Sequence, residues 1–218
     1  LPVNDVRTVK LWLQDNAGNE DETNALTVTA KWDDTSPNSF DLTKPLAGWY
    51  NATEYRFEWE ASSDATAGLD HYVWSMNDGS ETATISPDST GHTPIFGLAQ
   101  GTHTWTVTAY DSANNEIETS NPQSIQVDHT PPEITHNPIL VADENTQVEV
   151  NAVFSEDGSG QSQIAIAELY YRKGGEVNWQ SPIDMTILSI YNIAPSFSTS
   201  VGIEYYLHAV DVAGNVTD

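Results

Sequence analysis

The 218 residues contain no cysteine, which excludes disulfide bonds and thiolate metal sites. Basic residues are scarce: 7 Lys and Arg stand against 32 Asp and Glu, and the formal charge is −25. Phosphate polymers and anionic membrane surfaces would repel such a chain, so nucleic acid is excluded as a partner. No apolar run is long enough to span a membrane, and residues 1–10 lack the pattern of a signal peptide. We therefore expect no membrane insertion here, and an export signal outside this sequence.

Apolar residues are present in sufficient number to build cores. They make up 38% of the chain and include 7 Trp and 9 Tyr. A disordered chain combines high charge with low apolar content, and only the first of these holds here. The chain is therefore predicted to fold, and its acidity suits high salt or divalent cations.

A short acidic turn occurs three times, as 15-DNAGN-19, 111-DSANN-115 and 211-DVAGN-215. Two, four and six residues before each Asp the chain is apolar or aromatic, and the residues between are mostly polar. This period-two alternation indicates a strand with one face on a core. The upstream positions are Leu13, Leu11 and Val9; Ala109, Val107 and Trp105; Ala209, Leu207 and Tyr205.

The spacing of the turns, near 100 residues, predicts a tandem array of small β domains. After two of the turns come a second strand-like run, 24–32 and 121–127, and a linker, 33-DDTSP-37 and 128-DHTPP-132. The predicted domains are therefore the last two strands of a first module in 1–33, a complete module in 34–130, and a module without its last strand in 131–218.

Two runs in the complete module alternate in the same way. Tyr55, Phe57 and Trp59 share one face of the first, and Tyr72, Trp74 and Met76 share one face of the second. Turn-forming segments separate these runs, and no stretch has a convincing helical period. Several short strands with regular turns are typical of a β-sandwich.

Three stretches resemble fibronectin type III and related bacterial or archaeal immunoglobulin-like modules. The stretch 95-IFGLAQGTHTWTVTAYDSANN-115 is similar to strand E, the following "GL-x-x-G-T" turn and strand F. The stretches 155–179 and 203–218 are similar to the B–C loop with strand C and its hairpin, and to strand F. Residues 180–202 depart from the pattern. The resemblance implies an all-β fold of tandem immunoglobulin-like sandwiches and implies no activity.

No catalytic constellation emerges from the sequence. The six histidines are scattered and no phosphate-binding or nucleophile motif occurs. Chance alone brings carboxylates close together in a chain with 32 acids, so their spacing does not indicate a glycosidase. The chain is predicted to be non-enzymatic.

Calcium is the candidate cofactor. In the implied topology, the B–C loop, the F–G turn and the incoming linker meet at one pole, and Ca²⁺ takes six to eight oxygen ligands. The competing interpretation is that each Asp caps its own turn. The candidate ligands are Asp33, Asp34, Asp64, Asp111 and Asn114 at one junction, and Asp128, Glu133, Glu156, Asp157, Asp211 and Asn215 at the other.

Two other kinds of site are weaker candidates. Trp49 and Tyr50, in the segment between strands A and B, and Trp179, near a hairpin end, are candidates for stacking on carbohydrate, although packing against a neighbouring domain competes. Asn51 and Asn215 begin N-x-T sequences and are candidates for glycosylation.

The sequence thus predicts a non-catalytic structural or adhesive segment of a large extracellular or cell-surface protein, with calcium as a candidate stiffener. Its expected partners are neighbouring immunoglobulin-like modules and a cell-surface polymer or glycan. One alternative is an accessory or carbohydrate-binding module of a secreted hydrolase. Another is a filament subunit whose spare N-terminal strands complete the C-terminal sandwich of the next copy.

Overall fold

The computed structural model describes residues 5–94, 97–119, 121–142, 146–156, 158, 160–186, 190–193 and 202–218. Two compact units divide the chain. The first contains residues 1–46, 56–95 and 104–124, and the second contains 47–55, 96–103 and 125–218. In the described residues no helix is both long and apolar enough to cross a membrane.

Short β-strands make up the first unit, together with one turn of 3-10 helix at Glu22–Asn24. Strands β9 and β11 are grouped with the unit that holds most of their residues. The strands are β1 (Asp5–Leu11), β2 (Leu26–Trp32), β3 (Leu42–Lys44), β5 (Phe57–Trp59), β6 (Leu69–Met76), β7 (Glu81–Ile85), β8 (Gly91–His92), β9 (Gly101–Asp111) and β10 (Glu116–Glu118).

Two sheets pack face to face in this unit. Strand β5 lies between β3 and β8, while β6 lies between β7 and β9, and β10 extends β9. The Phe57 ring lies 5.1 Å from that of Trp74 and 4.9 Å from that of Trp105, and Trp59 lies 5.5 Å from Tyr72. These side chains are buried, so the predicted alternation and the two-layer core are confirmed.

Strands β1 and β2 form a separate antiparallel hairpin, with Leu11 opposite Leu26. Both predicted strands are present and pair with each other, but the face that the alternation assigns to a core is exposed. Val9, Leu11, Val28 and Trp32 are 53% to 64% accessible. A lone two-stranded sheet buries a face only when a second layer packs on it.

The second unit also consists of strands. They are β4 (Gly48–Tyr50), β11 (Gln123–Val127), β12 (Glu133–His136), β13 (Val148–Ser155), β14 (Ile164–Lys173), β15 (Ile183–Asp184), β16 (Ile190–Ile193), β17 (Ile203–Asp211) and β18 (Val216–Thr217).

Three strand assemblies form this unit. β13 lies between β12 and β16; the order of a second sheet is β15-β14-β17-β18; and β4 runs parallel to β11. Facing strands bury Val150, Leu169, Ile193 and Leu207 in one core. Trp49 and Tyr50, predicted in an irregular segment, lie in strand β4, because their backbone pairs with β11.

Candidate functional site: two aspartate–asparagine clasps

The repeated turn is held by its own Asp and the Asn four residues later. In the middle copy, Asp111 Oδ1 accepts the backbone N–H groups of Ala113 at 2.8 Å and Asn115 at 2.9 Å. Asp111 Oδ2 accepts the Asn115 side-chain amide at 2.8 Å. These bonds explain why the motif needs both residues at this spacing. The same pairing joins Asp15 to Asn19 and Asp211 to Asn215.

In the middle copy, Asn115 also binds the segment that follows strand β2. The Asn115 Nδ2 group donates a second bond, of 3.2 Å, to the Asp33 carbonyl. The Asp33 carboxylate in turn accepts the N–H of Thr35 at 3.0 Å and that of Ala67 at 2.9 Å. We call this arrangement of Asp33, Asp64, Asp111 and Asn115 the first clasp.

Three carboxylates converge in the first clasp. One oxygen each of Asp33, Asp64 and Asp111 lies within 4.8 Å of the other two. Asp64 Oδ1 also accepts the N–H groups of Thr66, Ala67 and Gly68 at 2.7 to 3.0 Å. Burial alone would raise the pKa of Asp64, but these three donors outweigh it and hold the pKa below its ordinary value. The site is therefore anionic at neutral pH.

The second clasp repeats the pattern around Asp128, Ser162, Asp211 and Asn215. Asp128 is 0% exposed. Its carboxylate accepts the N–H of Thr130 at 3.0 Å and that of Ser162 at 2.6 Å. Its carbonyl accepts the Asn215 side chain at 2.9 Å, and its own N–H donates to the Tyr50 carbonyl at 2.9 Å. Every polar group of Asp128 is thus hydrogen-bonded, which makes its burial tolerable.

Neighbouring residues of the linker are held as well. His129 Nε2 lies 3.2 Å from the Leu98 carbonyl oxygen, and the Thr130 hydroxyl donates to Gln100 at 2.8 Å. Thr217 donates to the Pro132 carbonyl at 2.6 Å. Residues 128–132 are therefore fixed by several segments of the second unit.

The predicted ligand sets converge only in part. The group Asp33, Asp64 and Asp111 forms as expected, whereas Asp34 is exposed and outside that group. No comparable group of three forms from the described members of the second set, where the loop contributes Ser162 in place of a third carboxylate. Glu133 is exposed and Glu156 half-buried, and Asp157 lies outside the described residues.

Asn114 stays a predicted ligand, but the neighbouring Asn115 is the residue that binds within the first clasp. Asn114 is exposed and has a φ of +68°, which serves the turn, while Asn115 makes the bonds to Asp111 and Asp33. Counting from each Asp would have found it, since Asn19, Asn115 and Asn215 all stand four residues after the Asp. The bonds that Ala67 and Ser162 donate to the linker aspartates left no sequence signal, because backbone N–H groups make them.

The two candidate glycosylation sites differ in environment. Asn51 is exposed. The Asn215 Nδ2 group donates to both Asp128 and Asp211, so a glycan on this nitrogen would displace a clasp bond. Of the two side chains, Asn51 is the more exposed.

The aromatic residues considered for carbohydrate binding are all engaged within the protein. Trp49 and Tyr50 are half-buried in β4, and the Tyr50 ring lies 6.2 Å from that of Tyr55. The Trp179 ring is 4.8 Å from Tyr206 and has Arg172 Cζ 4.3 Å from its centroid.

Comparison with family models and with curated proteins gives no match. Among solved structures, the chain is similar to fibronectin(III)-like modules of CbhA from Clostridium thermocellum, at 17% identity over 82% of this chain and 89% of that one, with a TM-score of 0.43. It is similar to titin domains A168–A170 at 13% identity over 99% and 71%, with a TM-score of 0.49. For chicken CNTN1 domains FN1–FN3 the identity is 11% over 95% and 73%, with a TM-score of 0.37.

The strand order and two-layer cores make the chain an all-β protein of tandem immunoglobulin-like, fibronectin type III-like β-sandwiches.

Proposed function

We propose that the chain is a non-catalytic structural segment of an extracellular or cell-surface protein, in which β-sandwiches are spaced by stiff linkers. The observation that supports this best is Asp128, a linker residue with no exposed surface whose N–H, carbonyl and carboxylate are all bonded within the second unit. Linkers that allow free motion between domains are solvated and make few contacts. A linker that is fixed on its module in this way suits a spacing or display role.

Hydrogen exchange tests this proposal. The variant Asn215→Ala removes the amide that joins the Asp128 carbonyl to the turn. We expect the Thr130 and Ser162 amides to exchange about tenfold faster, since about 1.4 kcal/mol corresponds to a factor of ten. Asn19→Ala is the matched control, because Asn19 makes the same turn bonds in an exposed hairpin. Unprotected amides at Thr130 and Ser162 in the unmodified chain would refute a stiff linker.

Calcium stiffening remains a prediction within this proposal. The first clasp is the place to test it, because three carboxylate oxygens lie within 4.8 Å of one another there. The competing interpretation is that each Asp caps its own turn. It has direct support, since the oxygens of Asp33, Asp64 and Asp111 already accept backbone N–H groups. A cation would have to share these oxygens with those donors, and thermal melting in CaCl₂ and in EDTA separates the two cases.

A further inference from the structure

The outer face of the sheet β15-β14-β17-β18 has an ordered row of planar side chains. Residues alternate across β14 and β17, so Leu169 and Leu207 point into the core. The alternate residues of the same strands form three consecutive cross-strand pairs on the outside. These pairs are Glu168–His208, Tyr170–Tyr206 and Arg172–Glu204.

The rings contact one another along this face. The Tyr170 and Tyr206 rings stack at 4.7 Å with an interplanar angle of 5°. Trp179 meets Tyr206 edge to face at 4.8 Å, and the Arg172 guanidinium lies over Trp179. His208 approaches Tyr170 from the other side, at 6.2 Å. We call these five residues the aromatic row.

Acidic groups border the aromatic row. Glu168 accepts the Tyr170 hydroxyl at 2.8 Å, Glu204 binds Arg172 at 2.6 Å, and Asp218 pairs with His208 at 2.6 Å. The bond to Glu168 raises the pKa of Tyr170 to about 12. Three carboxylates thus border the aromatic row, and one of them, Glu204, pairs with its permanent cation, Arg172.

Exposed apolar side chains continue this face beyond the charged pairs. At one end of the sheet, Val210 of β17 pairs with Ile166 of β14 on one side and with Val216 of β18 on the other. Ile166 is 41% exposed and Val216 is 49% exposed. Trp179, at the other end, is 37% exposed. Tyr, Trp and Arg are the residues that most often supply binding energy at protein interfaces, and here they are already ordered by mutual contact.

The corresponding face of the first unit is different. Across β7, β6 and β9 it presents small hydroxyl side chains, with Thr82, Ser75 and Thr106 in one row. Its one described ring stack joins His71 and Tyr110, at 4.7 Å. The outer face of a sheet in this fold therefore does not require aromatic side chains, because the first unit has small hydroxyl side chains there.

Charge determines which partner suits the aromatic row. A second copy of the chain also carries a formal charge of −25, and anionic polymers are repelled for the same reason. The contact of Arg172 with both Trp179 and Glu204 shows a guanidinium that is held by a ring and a carboxylate on this surface. We propose that the aromatic row, with Glu168, Glu204 and Asp218, is a docking surface for an arginine-rich segment of a partner protein.

Calorimetry with a short oligo-arginine peptide tests the proposal, in about 150 mM salt so that general attraction to an acidic protein is screened. The unmodified chain binds this peptide more tightly than an oligo-lysine peptide of equal charge, because guanidinium stacks on aromatic rings. Trp179→Ser combined with Tyr206→Ser weakens oligo-arginine binding about tenfold. Neither substitution alters the formal charge.

Tyr110→Ser is the matched control, because it removes a stacked tyrosine from a sheet face without touching the aromatic row. We expect it to leave the affinity within about twofold. Trp179→Ser alone is the milder variant should the double variant fail to fold, and thermal melting monitors both. Equal affinity for oligo-arginine in all variants would show that the peptide binds only through the negative charge of the chain, and would overturn the proposal. Binding of a neutral oligosaccharide that the same substitutions abolish would also overturn it, and would assign the row to glycans.

Discussion

The two clasps share one hydrogen-bond pattern but differ in burial and charge. In both, an Asn four residues after the turn Asp donates to a linker Asp carbonyl, and the linker carboxylate accepts a loop N–H. The linker aspartate is half-buried in the first clasp and fully buried in the second. The first clasp has a third carboxylate, Asp64, whereas in the second the loop contributes the backbone N–H and hydroxyl of Ser162.

This difference separates two uses of the same motif. A buried carboxylate requires donors on all sides, and Asp128 has them, so the second clasp acts through satisfied hydrogen bonds. Three clustered carboxylates repel one another, and partial solvation or a cation relieves the repulsion. The first clasp is therefore the one whose stability should respond to ions and to pH.

Alanine in place of each linker aspartate gives the largest expected contrast. Asp128→Ala leaves the N–H groups of Thr130 and Ser162 without their acceptor in a buried site, and we expect a loss of about 3 kcal/mol in the free energy of unfolding. Asp33→Ala is expected to cost about 1 kcal/mol, because water reaches its half-buried site. Urea unfolding followed by tryptophan fluorescence measures both.

Asp15→Ala in the exposed hairpin is the control for loss of an Asx turn alone. Equal losses at Asp33 and Asp128 would show that burial does not distinguish the clasps.

Thermal melting tests whether the first clasp binds calcium. The melting temperature is compared in millimolar CaCl₂, in MgCl₂ and in EDTA at matched ionic strength. We expect a rise of several degrees specific to Ca²⁺, since a ligand that binds only the folded state stabilises it. Asp64→Asn should abolish this rise, because it removes one of the three carboxylates. Asp88→Asn, at an exposed position, is the charge-matched control. A calcium shift that survives Asp64→Asn would place the ion elsewhere, and no shift at all would leave the acids as turn caps.

Most of the fold could be predicted from the sequence, because it depends on side-chain alternation. The burial of Tyr72, Trp74 and Met76 on one face of β6 follows directly from their spacing. Strand β4 could not be predicted, because it pairs in parallel with residues 125–127 and three residues show no period. The predicted boundaries at 33/34 and 130/131 remain a prediction.

The candidate site was predictable only where side chains form it. The turn and linker aspartates were found from the repeat, whereas the donors from Ala67 and Ser162 are backbone groups that any residue supplies. Asn114 and Asn115 are adjacent and chemically alike, so composition alone does not reveal that the Asn115 amide is the one that binds Asp111.

Acid titration gives a smaller, directional effect in the first clasp. The pKa of Asp64 lies below its ordinary value of 3.8 in the folded protein, so folding favours the ionised carboxylate. Its contribution to stability is therefore present above about pH 3.8 and is lost as the pH falls through the lower folded value. We expect the stability difference between the unmodified chain and Asp64→Asn to narrow on acidification in this range. NMR titration of the carboxyl carbon checks the pKa directly, and a value above 3.8 would contradict the role of the three N–H donors.

Glycosylation gives the smallest expected change in stability and distinguishes two Asn side chains that match the same sequence pattern. Asn51 is exposed, whereas both hydrogen-bond partners of the Asn215 amide belong to the second clasp. We expect secretory expression to modify Asn51 and to leave Asn215 bare, as peptide mass spectrometry would show. Thr53→Ala should remove the glycan with little change in melting temperature, because it destroys the acceptor pattern and leaves the clasp intact. Occupancy at Asn215 in folded protein would mean that the second clasp opens or forms only after modification, which would weaken the case for a stiff linker.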